Sequence, residues 1–180
     1  MKILIASDIH GSAYYCRKLL EAWDRENPDR VLLLGDLLYH GPRNDLPREY
    51  DPKQVIALLN ERRDSLLCVR GNCDTEVDQM VLQFPILADT AWVAAEECSI
   101  LATHGHVYHP DHLPPLRAGD ILLYGHAHVP AWENRNGFRC FNPGSVSIPK
   151  GDSRPGYMVL EKGVFTWKTL EGEAFHSDKC

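Results

Sequence analysis

Val31-Leu32-Leu33-Leu34-Gly35-Asp36 decides how this chain folds. Five apolar or small residues in succession read as a buried strand. The run breaks at Gly35, delivers Asp36, and passes into a polar loop, His40-Gly41-Pro42-Arg43-Asn44. A carboxylate at the end of a buried strand is costly unless it is paired or bound to a metal. Ligands of open α/β sheets bind just beyond the carboxyl ends of the strands. Asp36 is therefore a candidate ligand, and the question is whether other strands end the same way.

They do. Lys2-Ile3-Leu4-Ile5-Ala6-Ser7 runs into Asp8-Ile9-His10-Gly11, and Ser65-Leu66-Leu67-Cys68-Val69-Arg70 into Gly71-Asn72-Cys73-Asp74. Ser99-Ile100-Leu101-Ala102-Thr103 runs into His104-Gly105-His106, and Asp120-Ile121-Leu122-Leu123-Tyr124 into Gly125-His126-Ala127-His128. Each run alone is a weak signal, because a lone Asp-x-His turn is usually a capped loop. Five runs that all deliver Asp, His or Asn beside a glycine point to one binding edge.

The spacing of the remaining elements sets the frame. Ser12 caps a helix over 13–26, with Tyr15, Leu19 and Trp23 on one face, and Asn27-Pro28-Asp29 stops it. Asp51 caps a second helix with Pro52 at its first position and a stripe of Val55, Ile56, Leu58 and Leu59. The strands at 31–34 and 65–70 complete a β-α-β-α-β unit, which argues for a parallel sheet with right-handed crossovers. A short helix follows Asp74 and ends near Met80. After Pro85, short strand-like segments take over at 86–95, 99–103, 120–124, 130–135, 138–142, 156–161 and 163–169. Asn136-Gly137 and Lys162-Gly163 mark hairpin turns. The expected class is α/β: two packed mixed β-sheets with helices on the outer faces, a four-layer sandwich. Residues 1–175 form one domain in this reading, and 176–180 are a loose tail.

Composition narrows the function. The chain has 180 residues, 44% hydrophobic and 24% charged, with a net charge of −6. No basic block offers a face to extended nucleic acid, and no apolar run reaches the ~20 residues of a membrane span. The N-terminus enters its strand at once, without a signal-peptide pattern, so the cytoplasm is the expected compartment. The six cysteines, at 16, 68, 73, 98, 140 and 180, show no CxxC spacing. No disulfide framework is expected, and Cys180 reads as a free thiol.

Asp8-x-His10, Gly35-Asp36, Gly71-Asn72-x-Asp74, His104-Gly105-His106 and Gly125-His126-x-His128, in this order, resemble the calcineurin-like metallophosphoesterase superfamily. Within it the chain is similar to the small bacterial phosphodiesterases of the YfcE type, from Met1 to about Gly156. The resemblance implies two divalent metal ions. Asp8, His10 and His128 would hold the first, Asn72, His104 and His126 the second, and Asp36 would bridge them. It points to Mn²⁺, although Fe, Zn, Ni and Co suit the same oxygen and imidazole donors. It also implies hydrolysis of small phosphodiesters by a metal-bound hydroxide, with Asp36 and His10 at the reacting centre. Phosphomonoester hydrolysis at the same site and a non-catalytic protein-binding scaffold of the same fold are the alternatives. A nuclease would want an added basic domain, and the oligomeric state stays open.

Three residues, His106, Arg43 and Cys73, carry a double reading. His106 either faces substrate or supports a ligand. Arg43 either grips a phosphate bidentately or lies on the surface. Asn142, in Asn142-Pro143-Gly144-Ser145, reads as a group that orients a ligand. Cys73 stands where many family members carry histidine. A thiol is a weak donor and cannot act as an imidazolium, so it is either a site-adjacent catalytic group or a packed structural one. His109 and His112, in a proline-rich loop, read as surface residues.

Overall fold

Alternation along each short strand sends one set of side chains to a helical layer and the other to a second sheet. The structure, a computed structural model, describes residues 1–95, 98–135 and 137–180. The first sheet contains β1 (Ile3–Ala6), β2 (Arg30–Leu33), β3 (Leu66–Cys68), β9 (Gly156–Glu161), β10 (Val164–Thr169) and β11 (Ala174–Lys179), in the order β11-β10-β9-β1-β2-β3. The second contains β4 (Thr90–Ala95), β5 (Cys98–Thr103), β6 (Ile121–Leu123), β7 (Pro130–Arg135) and β8 (Phe138–Pro143), in the order β4-β5-β6-β8-β7. Each sheet has a parallel centre, β1-β2-β3 and β5-β6-β8, with antiparallel strands outside it.

The period of two is visible in the cores. Leu4, Ala6, Val31 and Leu33 pack toward the helices, while Ile3, Ile5, Leu32 and Leu34 face the second sheet and join Ile100, Ile121, Leu123 and Phe141. Trp167 is wholly buried between the sheets, and its indole N–H donates to the Asn142 carbonyl at 2.7 Å, which satisfies its one polar atom. Helix α1 (Ala13–Glu26) starts where Ser12 Oγ accepts from the Tyr15 amide and ends at a left-handed Asn27. Helix α2 (Pro52–Asn60) starts where Asp51 accepts from the Gln54 amide. Both pack on the first sheet. Helix α3 (Glu76–Val81) opens with a Thr75–Asp78 capping box. The outer face of the second sheet, Leu122, Tyr124 and Cys140, is covered by Leu113 and Leu116 of a loop.

Two expectations at the C-terminus are corrected. Residues 176–180 are not a loose tail: β11 runs to Lys179 and pairs antiparallel with β10, and His176 stacks on Trp132 with ring centroids 3.9 Å apart. Nor is Cys180 a free thiol, because it forms a disulfide with Cys98. The bond ties the last residue to the start of β5 across an 82-residue separation, which in the chain-entropy account is worth about 4 kcal/mol. Asn136 of the expected Asn136-Gly137 turn lies outside the described residues. Among the described residues no helix is long and apolar enough to cross a membrane.

Candidate metal centre

The parallel strands stop early and the chain leaves each one through a tight turn. Asp8, His10, Asp36, His126 and His128 all have positive φ, between 49° and 63°. Left-handed backbone costs a non-glycine residue on the order of 1–3 kcal/mol and concentrates at functional sites. The turns are also pressed together. Gly35, at φ 94°, lies against the Gly71 backbone, where any Cβ would collide with it.

The turns bring all seven candidate ligands to one place. Around Asp8 Oδ1 lie His10 Nε2 at 3.5 Å and His128 Nε2 at 3.3 Å, and these two nitrogens are 3.2 Å apart. Around His104 Nε2 lie Asn72 Oδ1 at 3.1 Å, His126 Nδ1 at 3.2 Å and Asp36 Oδ2 at 3.3 Å. The same Asp36 oxygen is 3.7 Å from His10 Nε2, so one carboxylate oxygen faces both groups.

Neighbouring groups hold each side chain in that aim. His10 Nδ1–H donates to the Tyr39 carbonyl at 2.8 Å, His104 Nδ1–H to Leu34 at 2.6 Å and His128 Nδ1–H to Ile148 at 2.6 Å. A carbonyl only accepts, so each of these rings turns Nε2 inward. The Asp8 carbonyl accepts from the hydroxyls of Ser145 and Ser147, both at 3.0 Å. Asp74 accepts from the amides of Asp36, Leu37 and Gly71 at 2.8–2.9 Å and so fastens the Asp36 turn to the Asn72 turn. Asn142 donates to the Gly125 carbonyl and accepts from the Gly144 amide, both at 2.8 Å. It acts through the backbone before His126 rather than on a ligand side chain.

The electrostatics suit cations. Burial alone would raise the carboxyl of Asp8, yet the His10 and His128 rings hold it well below the usual carboxylate range. Burial opposes charge on His104, but its contact with Asp36 and the charges of Asp8 and Asp36 push it up to about 9. His126 moves the other way, to about 4, through burial and the positive charge of His104. Asp8 Oδ1 is wholly buried without a hydrogen-bond partner. An orphaned carboxylate oxygen among inward-facing imidazole nitrogens and a carboxamide oxygen is a donor set that fits divalent cations.

Residues 1–163 match the calcineurin-like phosphoesterase superfamily domain. The chain belongs to that superfamily. It is 46% identical to Phosphodiesterase YfcE of Escherichia coli over 174 residues, 97% of this chain and 95% of that one. A solved structure of YfcE superposes with a TM-score of 0.95 over 99% of both chains, at 43% identity. A probable metallophosphoesterase of Bacillus subtilis, YsnB, is 25% identical over 97% of this chain and 87% of its own. Vacuolar Protein Sorting 29 from Cryptosporidium parvum shares the fold alone, with a TM-score of 0.64 at 17% identity over 99% of this chain and 98% of that one. Metallophosphoesterases use divalent ions, and the calcineurin-like fold here sets the candidate ligands at the strand ends.

The other candidates fall on different sides of this centre. Cys73 lines the cavity over it, beside His10 and Asp36, and its amide donates to Asp36 Oδ1 at 2.8 Å. Burial, and then the charge of Asp36, pushes the thiol up to about 12, so it stays protonated. Arg43 also lines that cavity, with Lys150 at the mouth. His106 is not in it: its ring centroid is 5.4 Å from that of His104, and it lines a second cavity beyond His126. His109, expected on the surface, lines that second cavity too. Asp74 stood in the motif without a role, while Ser147, Lys150, Tyr124 and Glu133 carry no local signal that a sequence reading could use.

Proposed function

We infer that the protein is a metal-dependent phosphodiesterase acting on small phosphodiesters. Asp8, His10 and His128 on one side and Asn72, His104 and His126 on the other would hold two divalent cations, with Asp36 facing both groups. The observation that carries this reading is the single Asp36 oxygen that faces both His10 and His104. Kinship to a phosphodiesterase over nearly the whole chain supports the reaction class. When bound, such cations lower the pKa of water into the neutral range and neutralise charge at phosphorus. We assign Mn²⁺ as the best activator from the family resemblance; oxygen and imidazole donors without a thiolate admit it but do not select it over Fe, Zn, Ni or Co.

The chain's own residues do the rest. Carbonyls of Tyr39, Leu34 and Ile148 accept from Nδ1–H of three imidazoles and so keep Nε2 of each aimed inward. Asp74 keeps Asp36 and Asn72 in register, so the shared carboxylate cannot swing away. Arg43 and Lys150 offset the charge of an approaching diester at the mouth of the cavity. Cys73 adds a weak donor and no charge, so departure depends on the leaving group's own acidity. We place the enzyme in the cytoplasm.

Metal stripping and one substitution test this together. Exhaustive chelation is expected to abolish hydrolysis of bis(4-nitrophenyl) phosphate, and Mn²⁺ to restore it better than other divalent ions. Asp36→Asn is expected to lower the restored rate at least ~10³-fold with an unchanged circular dichroism spectrum. Turnover that survives either treatment would contradict the reading.

A further inference from the structure

Two cavities open on either side of His126 and Ala127, which line both. The first, about 360 Å³, lies over Asp36 and His10. The second, about 390 Å³, lies beyond His126 and falls in the size range of small-molecule sites. Tyr124, only 5% exposed, contributes its ring, and its hydroxyl donates to Glu133 Oε1 at 3.3 Å. Glu133 Oε2 accepts from Arg135 Nε at 2.8 Å, so the cavity's arginine is already paired. His109 is held in place by reciprocal backbone bonds with His112, at 3.2 and 2.9 Å.

A phosphodiester has two arms, and in-line attack expels one and retains the other. The first cavity carries two cations at its mouth, Arg43 and Lys150. The second offers aromatic walls, a paired arginine and a carboxylate with spare acceptor capacity. A charged phosphate or carboxylate arm would meet Glu133 there, whereas an uncharged ring with N–H or O–H donors would be received.

Resting on the phosphodiesterase reading above, we propose that the second cavity, formed by Tyr124, Glu133 and His109, binds the retained ester arm. The arm is an uncharged, hydrogen-bonding ring of the nucleoside class. Glu133 accepts from it, and the rings of His109 and Tyr124 pack against it. Both Glu133 and His109 are specificity-determining residues that touch no reacting atom.

Three diesters with one leaving group test this on the Mn²⁺-loaded full chain: the 4-nitrophenyl esters of methyl phosphate, phenyl phosphate and thymidine 5′-phosphate. In each case water adds to phosphorus, the bond to 4-nitrophenolate breaks, and the other arm stays on the product. The wild type is expected to rank thymidine above phenyl above methyl in kcat/KM. Glu133→Gln is expected to raise KM about tenfold for the thymidine ester alone, the loss of one hydrogen bond to a charged acceptor. His109→Ala is expected to raise KM for both ring-bearing esters and to leave the methyl ester unchanged. Tyr124→Phe, which removes the internal donor to Glu133 and leaves its carboxylate in place, is the second variant: it is expected to lower KM for the thymidine ester alone, and an equal change on all three esters counts against the arm assignment. An equal loss on all three esters, or no ranking in the wild type, overturns the arm assignment while the phosphodiesterase reading stands. A loaded wild type that cleaves none of the three overturns both.

Discussion

The two sides of the candidate metal centre are built differently. Asp8, His10 and His128 are at most 3% exposed, and both rings donate to backbone carbonyls behind them. On the other side Asn72 is exposed and His126 half-buried, and only His104 is deep. One ion would therefore sit in a dehydrated, rigid cage, and the other beside water and substrate. The difference also appears in charge. His104 and His126 are 3.2 Å apart, yet one is pushed up to about 9 and the other down to about 4. His104 is raised against its burial by the carboxylates it faces, whereas burial and then the charge of His104 press His126 down. A pair of imidazoles this close holds one proton, and a cation that enters must displace it.

The sharpest test of the open side is Cys73→His. General acid help is worth ~10²–10⁴-fold for a basic leaving group, and a thiol held near 12 supplies little of it. Histidine at this position is expected to raise turnover of alkyl or nucleoside leaving groups by about 10²-fold, with far less effect on 4-nitrophenyl esters. The measurement is the ratio of the two rates at saturating Mn²⁺. A uniform fall in both would mean that the larger ring has disturbed the Asn72 turn, and that Cys73 is a packing residue.

A smaller effect separates the two ions. Asn72→Ala is expected to weaken one of two Mn²⁺ binding events by at least about tenfold and to leave the other intact. Titration calorimetry reads both. Loss of the two events together would show that the halves are not independent, and the contrast between a closed and an open side would have to be given up.

The smallest effect is the pH dependence of the chelated protein. His104 has a folded pKa raised above the ordinary 6.5, so its contribution to stability is complete below about 6.5 and is lost as pH rises through about 9. His126 has a folded pKa depressed below 6.5, so its contribution is complete above about 6.5 and is lost as pH falls through about 4. The urea midpoint of the metal-free protein is therefore expected to peak near pH 6.5 and fall on both sides. Mn²⁺ should remove the alkaline limb, because the ion replaces the His104 proton. An alkaline limb of equal depth with and without Mn²⁺ would locate the titrating group elsewhere.

Much of this was legible before any coordinates. Helix α1 runs Ala13–Glu26, with Ser12 as its cap and Asn27 as its stop. The strand runs that ended in Asp8, Asp36, Asn72, His104 and His126 all end at one centre. Caps and buried strands are local features, written in a few neighbouring residues, which is why they could be read. Strand β11, Ala-Phe-His-Ser-Asp-Lys, contains no buried residue and lacks an apolar period. Its place follows from pairing with β10 and from Cys98, and neither partner leaves a trace in the segment itself. Asn142 reads in the sequence as a group that orients a ligand; in the structure the carbonyl it holds belongs to Gly125, and a backbone partner is invisible in a motif.

By itself the sequence determined the chemistry on offer: five short apolar strands, each delivering Asp, His or Asn beside a glycine that permits a tight turn. It also determined that no strong base stands at Cys73. Only the tertiary structure decided which atoms meet. It set one Asp36 oxygen between His10 and His104, turned His106 away into a second cavity, and joined Tyr124 and Glu133 into a wall of that cavity. The reason is physical. A strand's periodicity is fixed by its own residues, whereas the direction of a side chain beyond the strand depends on carbonyls and carboxylates brought from a hundred residues away. Asp8 shows this plainly, with Ser145 and Ser147 bonded to its carbonyl and His126 to its side chain.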